Sequence, residues 1–212
     1  VICVVCPIFM IGWLAWYIAT EQYQVILWWW IVIVLSGLHI SVWVHRCWSH
    51  RTWVPTKRWL NVLAIAVYSL FWMMPTFGFV ANHRKHHRFS DTKDDPHSPY
   101  WQSRWKITLW PQFKMDPAYI TDLLKDPDHV WFARYYWRII LGFSLLLLAI
   151  DPAWLAFYIS VVAGIGLKSK FVNDLGHDDP VNKGPTNRTL WAWIYLNGEP
   201  WHRNHHDYPR DW

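Results

Sequence analysis

Residues 1–19 and 25–44 contain no Lys, Arg, Asp or Glu, and residues 139–167 contain only Asp151. The apolar residues come in such blocks rather than spread as a soluble core would spread them. As an α-helix, a run of this kind satisfies its own backbone hydrogen bonds, and about 20 residues reach across the hydrocarbon of a bilayer. The pattern predicts an all-α integral membrane protein, a single domain over 1–212. Four transmembrane helices are expected at about 1–19, 25–44, 136–150 and 153–172, with turns at Thr20–Gln24 and Asp151–Pro152. A helical cap is expected from 45–135 and 173–212.

Charge orients this arrangement. All twenty Lys and Arg fall in 46–138 and 168–210, and neither turn carries one. By the positive-inside rule the turns face away from the cytoplasm and the cap faces it. The formal net charge of +5 follows from this bias and from anionic headgroups of membrane lipid beneath the cap. No basic stretch is interleaved with a nucleic-acid-binding fold, so nucleic acid is not an expected partner. Among the twenty Trp residues, Trp28, Trp29, Trp30, Trp43, Trp137 and Trp154 stand near the ends of apolar runs, where indole rings anchor helices at headgroup level. Cys3, Cys6 and Cys47 are too few for a disulfide framework, and the first two read as packing residues.

Nine of the twelve histidines fall in four groups beside apolar runs: His45 and His50; His83, His86 and His87; His177; and His202, His205 and His206. In the two His-x-x-His-His groups the i, i+3, i+4 spacing sends the rings from one helix face. Neutral imidazoles bind Zn, Cu, Fe and Ni. Nine ligands exceed the roughly four to six that one ion takes, so two ions are implied. A zinc site is content with four ligands, often including Cys, and only Cys47 is nearby. A metal transporter or storage protein, the non-enzymatic alternative, needs ligands at mid-membrane, where His39 stands alone. His39, His97 and His129 have no clustered partner and read as structural. His45 and His50 lie about 140° apart on a regular helix, so they are expected to serve different ions or an unwound end.

Residues 59–80 are apolar but contain Asn61, Ser69 and Pro75. A crossing here would put the first two histidine groups on opposite faces, so an interfacial or re-entrant segment is expected. Asp116-Pro117 and Asp126-Pro127 each read as an N-cap with proline in the first turn, predicting two helix starts, the second running into the third span. A short apolar helix is expected over 189–197.

His45-Arg-Cys-Trp-Ser-His50, His83-Arg-Lys-His-His87 and His202-Arg-Asn-His-His206 resemble the three histidine boxes of the membrane-bound fatty-acid desaturases. The likeness extends to Trp48-Ser49-His50-Arg51-Thr52, Phe89-Ser90-Asp91-Thr92, Asp95-Pro96-His97 and Gly198-Glu199, as in the stearoyl-CoA (Δ9) type. Asn173 and His177 are similar to the family's further ligand pair, in which the Asn reaches a metal through water. The resemblance implies that His45, His50, His83, His86, His87, His177, His202, His205 and His206, with Asn173 through water, hold two iron ions in a cytoplasmic cap. It implies O2 as co-substrate and a cis double bond introduced into a fatty acyl chain, with acyl-CoA the expected carrier and acyl lipid or acyl carrier protein the others. Two electrons would come from a separate donor: a cytochrome b5-like protein, a ferredoxin or a rubredoxin. Hydroxylases and acetylenases on the same scaffold are the alternative enzymes. The chain departs from the family at Ala81-Asn82, where Arg-Asp is usual, and at Pro200, where Gly is. Lys170, with Lys168 two residues earlier, stands where many relatives have Trp beside the bent acyl tunnel, and Lys170 is the candidate substrate contact.

Overall fold

The computed structural model describes residues 2–72, 74–109, 115–179, 181–187 and 199–211, apart from the side chains of 2–5, 105, 108, 109 and 169–171. In chain order come α1 (Ile2–Ala19), α2 (Tyr23–His39), a π-helical segment (Ile40–Ser49), α3 (Arg58–Phe71), α4 (Thr76–Phe89) and α5 (Arg104–Leu109). Two short 3-10 turns follow, Pro117–Ile120 and Leu123–Lys125, then α6 (Pro127–Ile150), α7 (Pro152–Leu175) and α8 (His202–Asp207). Among the described residues there is no strand, and Asn187 and Trp201 form an isolated bridge. The helix expected over 189–197 lies outside the described residues.

The helix starts follow from the Asp-Pro pairs. Asp126 accepts from the N–H of Asp128 and His129, and Asp151 from that of Ala153, with Pro at the first position of each helix. Asp116 caps in the same way, but it opens only the 3-10 turn Pro117–Ile120. The chain must turn there to seat Ile120 and Leu123 in the core under α3 and α4.

Tyr23–Ser49, Pro127–Ile150 and Pro152–Leu175 are long and apolar enough to cross a membrane. The 27-residue and two 24-residue helices reach about 40 and 36 Å at 1.5 Å per residue, more than the roughly 30 Å of hydrocarbon. Their ends can therefore carry ligands past the apolar layer. α1, 18 residues long, packs along α7 and α2. Leu141, Leu145, Leu146, Leu148 and Ile150 of α6 all point outward, a stripe suited to lipid. Trp28, Trp30, Trp137 and Trp154 are exposed as a belt requires, whereas Trp29 turns inward against α7. A Cβ at Gly164 of α7 would stand 2.4 Å from Ile33 Cδ1 and 2.9 Å from Trp29, so its absence lets α2 and α7 approach closely.

α3 and α4 meet at a bend of 91°. At the start of α3, Arg58 donates to both carboxylate oxygens of Asp128, at the start of α6, at 2.7 and 2.9 Å. At the end of α4, His83 lies 2.8 Å from His50. Both ends of the pair thus stand beside the histidine-bearing segments. At its elbow the phenols of Tyr136 and Tyr158 donate to the carbonyls of Trp72 and Leu70, the latter at 2.5 Å. Carbonyls freed where a helix stops need such donors when water is scarce.

Candidate metal centre

The first pair of histidines overturns an expectation. His45 and His50 fall in one group of candidate ligand atoms on a regularly wound segment, because the backbone beneath them is π-helical. The N–H of His50 donates to the carbonyl of His45 at 3.0 Å, an i→i+5 bond that brings residues five apart onto one face. Their ring centroids stand 5.0 Å apart. The segment ends with Thr52 N–H on Arg46 O at 3.0 Å and Arg51 in the left-handed region, φ 55°. Arg84 closes it: one guanidinium donates to the carbonyls of Trp48, Ser49 and Tyr119 and to both oxygens of Asp122, at 2.6 to 3.0 Å.

All nine histidines from four separate stretches of the chain converge, and they divide into two groups. His45, His50, His83, His87 and His205 form one, and His86, His177, His202 and His206 the other; within each the candidate ligand atoms lie within 4.8 Å of one another. In the first, the Nε2 atoms of His45 and His205 are 2.8 Å apart, those of His50 and His83 2.8 Å, and those of His87 and His205 2.9 Å. In the second, His86 Nε2 lies 3.1 Å from that of His177 and 3.2 Å from that of His206, and His177 Nε2 lies 2.8 Å from that of His202.

Three carboxylates stand behind the rings. Glu199 faces Nδ1 of His45 at 2.8 Å, Asp95 faces Nδ1 of His86 with both oxygens at 2.9 Å, and Asp91 faces Nδ1 of His177 at 2.7 Å. A carboxylate at Nδ1 fixes the proton there and leaves Nε2 as a bare lone pair. His86 and His177 are both fixed so, yet their Nε2 atoms face each other at 3.1 Å. Two lone pairs at that separation repel unless a cation lies between them. Ligands at about 2.1 Å from an ion are about 3 Å from their neighbours in a compact coordination shell, which is the spacing found. The donor set fits two first-row transition ions. Asp91, Asp95 and Glu199 stand in the sequence motifs, but no spacing signal there shows that they back the histidine rings.

Electrostatics favour the ligand form. Burial, and then the neighbouring imidazoles, hold His50 and His206 down to about 2 and push His202 well below the ordinary range, so these rings are neutral at neutral pH. Glu199 is partly buried, which opposes ionisation, but its contact with the His45 ring and a hydrogen bond from Ser41 prevail and hold it at about 2. Burial pushes Asp95 up to about 6 even though the N–H groups of His97 and Asp91 pull the other way.

A cavity opens beside both groups, lined on its apolar side by Gly37, Ile40, Phe79, Ile165 and Val172 and at the histidine end by His45, His83, His202, Asn173, Glu199 and Lys168. Asn173 thus borders the same space as His202. The side chain of Lys170 lies outside the described residues, and Lys168 is the lysine that borders the cavity. His97, expected to have no clustered partner, instead stands with His86 and Asp95 in a third set of candidate ligand atoms within 4.8 Å of one another, because the loop after α4 folds its ring onto His86, with centroids 4.7 Å apart. His129 is a core residue, its Nδ1 3.0 Å from Thr76 Oγ1 and its ring against Trp48 and Phe77. Gly176 makes room for the ring of His202, since a Cβ there would meet His202 Cδ2 at 2.8 Å and Val172 O at 2.3 Å.

Fold and site together define a helical membrane protein that gathers nine imidazoles into two adjoining groups. The sequence model of the family described as fatty acid desaturase matches residues 24–211. The chain is 27% identical to the sn-1 stearoyl-lipid 9-desaturase of Synechocystis sp. over 84% of its own length and 59% of that protein's. It is 30% identical to Delta-9 acyl-lipid desaturase 2 of Arabidopsis thaliana, covering 81% and 60%, and 24% identical to Stearoyl-CoA desaturase 5 of Bos taurus, covering 92% and 64%. The chain belongs to the fatty acid desaturase family, and the first two of these relatives are named as 9-desaturases. It spans about three fifths of the length of these three relatives.

Proposed function

We propose that this protein is an oxidoreductase that desaturates fatty acyl chains, removing one hydrogen from each of two adjacent methylenes while O2 is reduced by four electrons to two waters. Two electrons and two hydrogens come from the substrate; two further electrons come from a separate redox protein and two protons from solvent. The observation that carries this reading is the division of nine histidines into two adjoining groups whose lone pairs face one another.

Two iron ions held there would supply the activation of O2 that an unactivated C–H bond demands, which acid–base side chains cannot provide. The nine histidines would be their ligands, with Asn173 reaching one of them through water. The protein's own part is positional. Gly37, Ile40, Phe79, Ile165 and Val172 give an acyl chain an apolar bed leading to the histidines. Asp91, Asp95 and Glu199 hold three rings in their tautomer. Burial of His86, His177 and His202 keeps bulk water off the reacting carbons.

The substrate is proposed to be a saturated acyl chain on CoA or on a lipid, given a cis double bond of the Δ9 type, in line with the names of the relatives. The placement is proposed to be four spans, at about 1–19, 25–44, 136–150 and 153–172, with the cap on the cytoplasmic side. The donor is proposed to be a cytochrome b5-like protein, a ferredoxin or a rubredoxin.

The test is expression in a host lacking its own desaturase, with mass spectrometry of extracted lipids and of acyl-CoA. A loss of about two mass units with the new bond at C9 is expected, and a gain of about sixteen would instead mark a hydroxylase. His86→Ala and His205→Ala should each abolish product and lower bound iron, while His129→Ala keeps both ions. Full turnover in both cluster variants would remove the assignment.

A further inference from the structure

The two histidine groups are not equally prepared for an ion. In the four-histidine group, Asp95 holds Nδ1 of His86 with both oxygens and is itself fixed by the N–H groups of Asp91, at 2.8 Å, and His97, at 2.9 Å. Asp91 holds Nδ1 of His177 and takes a further hydrogen bond from Ser98 Oγ at 3.1 Å. The two carboxylates belong to one loop, tied to each other through Asp91 N–H. Asp91 has φ 58°, a left-handed conformation that Asp tolerates better than most residues and that turns the chain back immediately after α4. One small hydrogen-bonded unit thus orients a ligand on α4 and a ligand beyond α7 at the same time.

The five-histidine group is looser. Among the described residues, Glu199 on His45 is the one carboxylate within hydrogen-bond reach of its rings. His86, His177 and His202 are at most 3% exposed and His206 is half-buried, whereas in the other group His45 and His83 are buried and His50, His87 and His205 only half-buried. A ligand already held in its tautomer and rotamer loses less freedom when an ion arrives, and an anion behind the ring makes it a better donor. In a drier site the same charges act more strongly.

Resting on the dimetal reading above, we infer that the four-histidine group is the higher-affinity site, filled first and emptied last, and that Asp91 and Asp95 are the positioning residues that make it so. Backing groups of this kind are typically worth about 10- to 100-fold in metal affinity each. One such group more on the four-histidine side therefore separates the two ions by a factor of that order.

The experiment is a titration of the purified, metal-free protein in detergent with Co2+, followed by its visible absorption, and then timed release of the ion to a chelator. Two equivalents should bind, the first about 10- to 100-fold more tightly and released more slowly. His50→Ala should keep the tight step and weaken the second, and His206→Ala should lose the tight step. Asp91→Asn and Asp95→Asn should narrow the gap between the steps, while Glu199→Gln should widen it. The two histidine variants decide the question even if an aspartate variant fails to fold. Two steps of equal affinity in the unaltered protein, or a tight step that survives His206→Ala and disappears in His50→Ala, would overturn this inference and leave the dimetal reading standing. Fewer than two equivalents bound would overturn both.

Discussion

His45 and His50 share a single turn of π-helix, the N–H of one on the carbonyl of the other, and aim their rings into the same group of five. The geometry is held from outside by Arg84, which grips the carbonyls at the segment's end and ties them to Asp122. Helix ends leave carbonyls without partners, and here one side chain takes two of them.

Replacing Arg84 by Ala is therefore expected to destabilise the protein by about 2–3 kcal/mol, somewhat below the value for a fully buried pair. It should also weaken metal binding at the five-histidine group relative to the unaltered protein. Lys at this position keeps the charge but not the fork that reaches several acceptors, so Arg84→Lys should restore little of either. Thermal unfolding in detergent and iron per protein are the measurements. An Arg84→Lys protein with two tightly held ions would contradict the clamp.

Gly176 lies against the ring of His202. A methyl group there collides with backbone as well as ring, and overpacking of this kind costs about 1–3 kcal/mol. Gly176→Ala should lose metal from the four-histidine group before the fold fails, visible as sub-stoichiometric iron in protein that still unfolds cooperatively.

Gly164 tests the helix pair that carries the ligands. With no hydrophobic drive between helices in lipid, close packing holds α2 to α7. Gly164→Val should lower the unfolding temperature and push α2 away, whereas Gly142→Val on α6, where a Cβ meets nothing within 4 Å, should leave it unchanged. Equal effects at both positions would sink the argument.

Acid should unfold the metal-free protein. Burial holds His50 and His206 near 2 and His97 near 3 in the fold, whereas the unfolded chain takes up protons near 6.5. Below about pH 6.5 the unfolded state binds more protons, so stability is full above that value and declines as pH falls. The slope is up to about 1.4 kcal/mol per pH unit for each such histidine. Melting of metal-free protein between pH 7.5 and 5 measures this, and an unfolding temperature that stays level over that range would rule it out.

Loss of a phenol should be felt at the elbow of α3 and α4. Tyr158→Phe leaves the carbonyl of Leu70 without its donor at an expected cost of about 1–3 kcal/mol. Limited proteolysis should then cut first between α3 and α4; a cleavage pattern like that of the unaltered protein would count against a role for this bond.

Much of the protein could be read in one dimension. Apolar run length dictates helices of about the length the hydrocarbon needs, Asp126-Pro127 dictates where α6 begins, and i, i+3, i+4 spacing dictates that His83, His86 and His87 share a face. These are local properties, set by backbone geometry and by what lipid tolerates. Tertiary structure decided the rest. Nothing in the spacing of His45 and His50 shows that the helix beneath them is wound to i→i+5, because that winding is stabilised by Arg84 and Asp122 from distant parts of the chain. Nor does spacing allot nine histidines as five and four, or set Asp91 behind a ring 86 residues away. Such pairings depend on which elements pack together, and only the closed fold brings them within reach.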